Sequence, residues 1–191
     1  MGVRILCSDL VIKSSVPKKC NNLFGTVYWI TGLSGAGKTT IGQKLYSVIR
    51  EIKTNVVFLD GDDLRNIFGN DLGYTISDRH KSAMRNSKIS HFLALQGIDV
   101  ICCTISMFDD VRNWNRKNIS NYIEVFLKVS NEVLIERNQK NLYSTSKDEL
   151  VGFGLLMEEP KNPDLIIEND GKTSIEKIVQ QIMELAIMGN T

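Results

Sequence analysis

Several features that mark other classes of protein are scarce or missing in this sequence. Basic and acidic residues almost balance, 23 against 22, so the excess of positive charge typical of nucleic-acid-binding proteins is absent. The sequence has no apolar run long enough to span a membrane, and its N-terminus lacks the apolar core of a signal peptide. Only 2 histidines and 4 cysteines occur, without metal-ligand spacing. We therefore expect a cytoplasmic protein with free thiols and no nucleic-acid or membrane partner.

The length and the hydrophobic pattern indicate one α/β domain. A chain of 191 residues suits a single core, so we predict an N-terminal arm over residues 1–24 and one domain over 25–191. Apolar runs alternate with helical patterns, which is typical of a parallel sheet with helices on both faces. A polar stretch over 139–163 contains glycines and prolines and is predicted to be a lid segment. The predicted strands are 26–30, 55–60, 98–105, 122–129 and 164–169, and the predicted helices are 38–52, 78–96, 131–138 and 173–187.

A phosphate-binding loop follows the first predicted strand. The segment "GLSGAGKT", residues 32–39, matches the pattern G-x-x-x-x-G-K-[ST] and precedes a helical pattern. Backbone N–H groups of such a loop point at phosphate oxygens, Lys38 reaches the β- and γ-phosphates, and the Thr39 hydroxyl binds Mg²⁺. The sequence therefore predicts a site for a nucleoside triphosphate such as ATP with Mg²⁺, in a switch, a motor or a kinase. The predicted ATP-binding residues are Leu33, Ser34, Gly35, Ala36, Gly37, Lys38, Thr39 and Thr40.

Two carboxylates close the second predicted strand in "LDGDDLRN". The ligand crevice of a parallel sheet lies outside the carboxyl ends of its strands, so Asp60 and Asp62 should face the γ-phosphate. Asp60 is predicted to bind the metal together with Thr39, and Asp62 to accept the proton of an attacking hydroxyl. Alternatively, an aspartate here caps a helix that begins with "DLRNIF". Arg65, Arg79 and Arg85 follow, and guanidinium groups suit a second anionic ligand, although each one alone is more often a surface charge.

These motifs, together with later ones in the same order, resemble the adenylylsulfate kinase family. The resemblance covers about residues 26–170 and includes "GLSGAGKTT", "LDGDDLR", "NDLGY", "SDR", the "IS" of "CTIS", "IEVFLKV", "KNLY", "GF" and "PKNPDL". It implies a P-loop kinase that phosphorylates the ribose 3′-hydroxyl of adenosine 5′-phosphosulfate, usually as a homodimer.

By position, the resemblance also implies roles for individual residues. Asp60, Asp62 and Lys38 would form the catalytic set, with Lys140 in the lid over the nucleotides. Arg65 and Arg79 would hold the phosphate-linked end of the acceptor. Tyr74 and Phe153 would clamp its base. The remaining predicted acceptor residues are Ser82, Ile105 and Ser106. We interpret Ser106 as a contact residue, since in-line transfer needs no phosphorylated serine.

The sequence departs from the family pattern on the acceptor side. Lys81 stands where the family has an acid, Ser82 where it has Asn, Met107 where it has Pro, and Asp109 where it has a basic residue. Either the acceptor pocket is re-optimised, or Lys81 and Asp109 simply point to solvent. The stretch "FDDVRNWNRKNISNYIEVFLKV" resembles a divergent branch, the cytidine diphosphoramidate kinases of surface-polysaccharide pathways.

Three functions therefore remain open. They are a 3′-kinase for adenosine phosphosulfate, a 3′-kinase for cytidine diphosphoramidate, and a non-catalytic nucleotide-binding module. A switch GTPase is disfavoured, because the base-reading N-K-x-D motif is missing from "NQKN" and "NRKN".

Overall fold

The computed structural model describes residues 24–137 and 158–188 of the chain. Strands and helices alternate along these residues. In chain order they are β1 (Thr26–Gly32), α1 (Lys38–Ile52), β2 (Val56–Asp60), α2 (Gly61–Ile67), α3 (Ile76–Ala94), β3 (Asp99–Thr104), α4 (Asp109–Asn118), β4 (Asn121–Lys128), α5 (Asn131–Arg137), β5 (Leu165–Glu168) and α6 (Ile175–Met188).

The strands form one five-stranded sheet in the order β2-β3-β1-β4-β5, and every neighbouring pair is parallel. Strand β1 lies at the centre and is buried along its whole length. The register aligns the carboxyl ends of the central strands, with Thr31 opposite Thr104 and Gly32 opposite Leu127. The chain leaves β1 towards β2 on one side, and β4 lies on the other. This is the topological switch point at which α/β sheets bind ligands.

Helices cover both faces of the sheet, as the alternation of side chains along β1 requires. Tyr28 and Ile30 point into a core formed with α1 and α6. Val27 and Trp29 point into a second core formed with α3 and α4. The prediction of a five-stranded parallel sheet covered on both faces is therefore confirmed. No helix within the two described ranges combines the length and the apolar character needed to cross a membrane.

Helix α4 was not predicted from the sequence, α2 was predicted only as an alternative and begins at Gly61 instead of Asp63, and α3 begins earlier than expected. Helix α2 is short, and Asp60 caps it by accepting a hydrogen bond from the Asp62 N–H at 2.9 Å. Helix α4 lacks an apolar stripe, because its buried face consists of Val111, Arg112 and Asn115. Helix α3 begins at Ile76 because Thr75 caps it. The predicted arm lies almost wholly outside the described residues, as does most of the predicted lid.

Candidate active site

The phosphate-binding loop connects β1 to α1 at the carboxyl edge of the sheet. Gly37, at the start of α1, has φ +90° and provides no side-chain cap for the first turn of the helix. Gly32 has φ +154°, and a Cβ there would lie 2.5 Å from the Leu127 carbonyl oxygen. The backbone conformation of the loop thus depends on glycine at these positions. The N–H groups at the start of α1 and the positive end of its dipole provide an anion site.

Lys38 lies over this loop. Its Nζ donates hydrogen bonds to the carbonyl oxygens of Gly32 at 3.1 Å and Leu33 at 2.7 Å. The ammonium group is therefore held at the mouth of the loop, where a positive charge stabilises phosphate oxygens. This position agrees with the predicted role of Lys38.

Thr39 and Asp60 meet across the site. The Thr39 hydroxyl donates to Asp60 Oδ2 at 2.7 Å, while Asp60 Oδ1 accepts the Asp62 N–H at 2.9 Å. Asp60 therefore caps α2 and also contacts the first turn of α1, and its role as a metal ligand stays a prediction. A hydroxyl and a carboxylate side by side are oxygen donors that suit Mg²⁺. Asp62 lies exposed in the first turn of α2.

Two further residues donate hydrogen bonds to main-chain carbonyl oxygens of the loop and of the residue that follows it. Asn169, just after β5, donates through Nδ2 to the Ala36 carbonyl oxygen at 2.8 Å. The Cys103 thiol in β3 donates to the Lys38 carbonyl oxygen at 3.2 Å. Neither residue was predicted from the sequence. An amide directly after the last strand was the available signal for Asn169, since strand ends line the crevice.

Because Asn169 lies against the loop, a substitution at Gly37 tests whether ATP binding depends on the loop conformation. A Cβ at Gly37 would lie 2.7 Å from Asn169 Nδ2, in addition to the strain of a positive φ. We expect Gly37→Ala to raise KM for ATP about tenfold or more, because small displacements of binding groups carry large kinetic costs. The matched control is Gly69→Ala, where φ is +71° but nothing lies within 4 Å of the new Cβ. An equal KM for ATP in both variants would show that the loop tolerates the contact.

Cys102 and Cys103 lie in the buried strand β3 and are both free thiols. Burial raises the pKa of the Cys102 thiol to about 12 and that of Cys103 well above its ordinary value. The thiolate is the reactive form, so both should resist alkylation in the folded protein near pH 8. Mass spectrometry after iodoacetamide treatment, with and without guanidinium, measures this. Labelling of either thiol in the native protein at the denatured rate would contradict the prediction.

The predicted acceptor residues Arg65, Arg79 and Tyr74 come together beside α2 and α3. The Arg65 guanidinium lies 4.6 Å and that of Arg79 5.3 Å from the centre of the Tyr74 ring. Arg65 donates to the carbonyl oxygens of Leu72 and Gly73, and Arg79 Nε donates to that of Tyr74 at 2.9 Å. Tyr74 is 62% exposed, so its ring is accessible beside two positive charges. This grouping suits an anionic ligand that carries an aromatic base.

The other charged candidates near α3 have structural partners. Arg85 forms a bidentate pair with Asp71, both bonds 2.9 Å long, and its guanidinium lies over Phe68. Lys81 is 61% exposed and 3.8 Å from Asp78, which agrees with a solvent-facing charge. Ser82 is half-buried on α3.

The loop between β3 and α4 contains Ile105 and Ser106. Ile105 is half-buried, whereas Ser106 is 0% exposed, and its Oγ has no hydrogen-bond partner in the described part of the chain. The Ser106 carbonyl oxygen accepts from Thr31 Oγ1 at 3.3 Å and from Arg112 Nη1 at 3.0 Å. Ser106 therefore contacts Thr31 and Arg112 through its main chain, and direct contact with an acceptor stays a prediction.

Asp109 does not point freely to solvent, which was one of the two readings considered for it. Its side chain is 25% exposed and pairs with Lys161 Nζ at 2.6 Å and with Arg112. The hydrogen bond from Lys161, with Arg112 beside it, lowers the pKa of the Asp109 carboxyl below its ordinary value. The Asp109 N–H donates to Glu158 Oε2 at 2.6 Å. The predicted site residues Lys140 and Phe153 lie outside the described residues.

Fold and site together define a P-loop phosphotransferase. Residues 24–168 match the family model for adenylylsulphate kinase, and the chain belongs to that family. It is 38% identical over 162 residues to the cytidine diphosphoramidate kinase of Campylobacter jejuni, covering 83% of this chain and 94% of the relative. It is 35% identical over 167 residues to the adenylyl-sulfate kinase of Halothermothrix orenii, covering 85% of this chain and 90% of the relative.

A solved structure shows the same fold. The APS kinase of Mycobacterium tuberculosis in complex with AMPPNP and APS superposes with a TM-score of 0.78 at 29% identity, covering 85% of this chain and 97% of the other. The predicted P-loop kinase fold is confirmed. The chain is an ATP-dependent nucleotide kinase that transfers a phosphoryl group to a hydroxyl acceptor.

Proposed function

We propose that the chain transfers the γ-phosphate of ATP to the ribose 3′-hydroxyl of a nucleoside 5′-phosphate mixed anhydride. The observation that carries the proposal is the contact between Thr39 and Asp60, with Asp62 two residues further on in the first turn of α2. Phosphoryl transfer depends mainly on positioning and on electrostatic stabilisation of the transferring group. The residues that supply both lie at the carboxyl edge of β1 and β2, and Arg65, Tyr74 and Arg79 form a positively charged subsite on the α2 and α3 side.

Each group in this site has one assigned task. The loop N–H groups and Lys38 bind the phosphates of ATP, and Lys38 stabilises charge on the transferring group. Asp62 orients the attacking hydroxyl and accepts its proton. Thr39 and Asp60 would hold Mg²⁺, which neutralises phosphate charge. Arg65 and Arg79 hold the anhydride end of the acceptor, and Tyr74 stacks on its base.

Two acceptors fit this scheme, adenosine 5′-phosphosulfate and cytidine diphosphoramidate. The aromatic face of Tyr74 stacks on either base, so it does not discriminate between them. Asp109, at the start of α4, is the residue that separates the two acceptors in this scheme. A carboxylate accepts hydrogen bonds from a phosphoramidate N–H, whereas a sulfate presents only acceptor oxygens, so Asp109 favours the cytidine compound.

The deciding experiment supplies ATP and Mg²⁺ with each acceptor and scores both ADP release and the 3′-phosphorylated product. We expect turnover of the cytidine compound to exceed that of the adenosine compound. Efficient turnover of adenosine phosphosulfate alone would reassign the chain to sulfate activation. Failure to phosphorylate either acceptor would overturn the proposed 3′-kinase function.

Asp109→Ala is a second arm of the same experiment. We expect it to lower kcat/KM for the cytidine compound about tenfold, the scale of one lost hydrogen bond to a charged group, and to leave the adenosine compound less affected. Asp110→Asn is the control, because it removes the adjacent, more exposed charge of the same helix turn and keeps a side-chain oxygen within reach of His80. An equal loss of kcat/KM for both acceptors would show that Asp109 does not determine acceptor specificity.

We also propose a homodimer in the cytoplasm, as the family resemblance implies. Light scattering of the purified protein measures the oligomeric state directly.

A further inference from the structure

Arg112 is a buried charge that the proposed chemistry does not use. It lies on α4 and is 4% exposed. Its Nη1 donates to the Ser106 carbonyl oxygen at 3.0 Å, and its Nη2 donates to the Glu158 carbonyl oxygen at 2.7 Å. The same guanidinium pairs with Asp109 and, through Nε at 3.5 Å, with Glu124. One side chain therefore connects the β3–α4 loop, the start of α4, strand β4 and the main chain at Glu158, ahead of β5.

The segment held by Arg112 is the acceptor loop, defined here as residues 105–108. Its four residues lie between β3 and α4, outside any strand or helix, so contacts with other parts of the chain fix its position. On one side, Thr31 Oγ1 donates to the Ser106 carbonyl oxygen and accepts the Ser106 N–H at 3.4 Å. On the other side, the Met107 carbonyl oxygen accepts the Glu158 N–H at 3.2 Å. Arg112 adds the charged contact that joins the two sides.

A buried arginine has a high free-energy cost at this position. Burying a guanidinium opposite Glu124 carries a large desolvation penalty, and apolar side chains of similar volume often stabilise a core better. Burial raises the pKa of Glu124, and Arg116 and Arg112 oppose that rise. An ammonium group is a compact charge, whereas the planar guanidinium fork reaches two carbonyl oxygens in fixed directions. We therefore interpret Arg112 as a residue that fixes the relative positions of the two carbonyl groups.

We propose that Arg112 is a positioning residue that fixes the acceptor loop against the segment at Glu158, and so sets the geometry in which the acceptor hydroxyl meets the γ-phosphate. The inference rests on the proposed function. Arg112 does not touch the acceptor in this scheme, because its contacts are to main-chain oxygens and carboxylates. Its loss should therefore impair use of the acceptor while leaving ATP binding intact.

Arg116 provides a matched control on the same helix. It also pairs with Glu124, at 3.1 Å, but its other hydrogen bonds go to the Asn162 carbonyl oxygen and to Asp164. We expect Arg112→Lys to lower kcat/KM for the acceptor about 10²-fold, the scale of a 1 Å misplacement. KM for ATP should change less than about twofold. Arg116→Lys should change neither value by more than about twofold.

A second pair of variants covers the case in which Arg112→Lys does not fold. Glu124→Gln retains the bonds of Arg112 to the acceptor loop. The double variant Arg112→Gln with Glu124→Gln removes them without leaving an uncompensated buried charge. The double variant should show the acceptor-specific loss relative to Glu124→Gln, together with faster hydrogen exchange of the amides in residues 105–108.

The outcomes separate this inference from the proposed function. Equal changes in the Arg112 and Arg116 variants, or parallel losses for ATP and acceptor, would reduce Arg112 to a structural role and overturn the inference. If the double variant matched Glu124→Gln in kinetics and exchange, the inference would also fail. Absence of acceptor-dependent ADP release in the unmodified protein would instead overturn the proposed function, and the exchange measurement would still test the contact.

Discussion

Replacing Lys38 with alanine is expected to lower kcat by about 10³-fold or more, equivalent to about 4 kcal/mol of lost transition-state stabilisation. The Nζ atom lies within hydrogen-bond distance of two loop carbonyl oxygens, at the position from which it can reach the phosphates. Charge that develops on the transferring group then loses its fixed positive partner. The fold should survive, because the substitution removes only half-buried hydrogen bonds worth about 1 kcal/mol each.

Lys44 provides the control for this substitution. It lies on the same helix, α1, but on the exposed face away from the loop. Lys44→Ala should leave kcat unchanged within experimental error, and both variants should unfold cooperatively at similar temperatures. A Lys38→Ala protein that kept most of its activity would contradict the assignment of this loop to catalysis.

Asp62→Asn is expected to lower kcat about 10²- to 10⁴-fold, the usual range for removal of a general base. The helix cap should be undisturbed, because the N–H of residue 62, not its side chain, bonds to Asp60. A loss in kcat with little change in KM for ATP marks an interaction made mainly in the transition state. Steady-state kinetics with saturating acceptor measures this.

The adjacent carboxylate distinguishes catalysis from general charge effects. Asp63 lies in the same first turn of α2 and is also exposed. Asp63→Asn removes the same charge one residue away and should keep nearly full activity. If Asp62→Asn only weakened ATP binding, Asp62 would belong with the metal ligands. If both variants lost activity equally, the local negative charge would matter and not one carboxylate.

The central part of the fold was predictable because buried strands and helix stripes have distinct periods. Strand β1 is apolar and buried throughout, and α1 follows it with Ile41, Leu45 and Ile49 on one face. Helix α4 was not predictable from this signal. Its buried face includes Arg112 and Asn115. A polar helix face can be buried only when carbonyl and carboxylate groups from distant parts of the chain pair with it. Periodicity of apolar residues carries no information about such contacts.

The donor half of the site followed from the sequence for a related reason. The loop from Gly32 to Thr39 is contiguous, so its spacing determines its geometry, and Asp60 ends a strand that must align with β1. The contacts that support both halves of the site come from residues far apart in the chain. The hydrogen bond from Asn169 to Ala36 of the donor loop spans 133 positions, and that from Arg112 to Glu158 on the acceptor side spans 46. The arginine cluster alone did not separate Arg85, which pairs with Asp71, from the half-buried Arg65 and Arg79, whereas the family resemblance assigned only Arg65 and Arg79 to the acceptor.

The N-terminal parts of α3 and α4 contact each other, so redesign of the acceptor side has to treat them together. His80 Nε2 lies 2.6 Å from Asp110 Oδ2, and the His80 ring packs edge-on against Phe108 at 5.1 Å. We expect a substitution that breaks either contact to affect the packing of both helix starts. A library that varies single positions would sample mostly disrupted pairs, whereas one that varies the two turns together would keep compatible combinations. Laboratory evolution of new acceptors should thus select changes in residues 78–82 jointly with changes in residues 107–110.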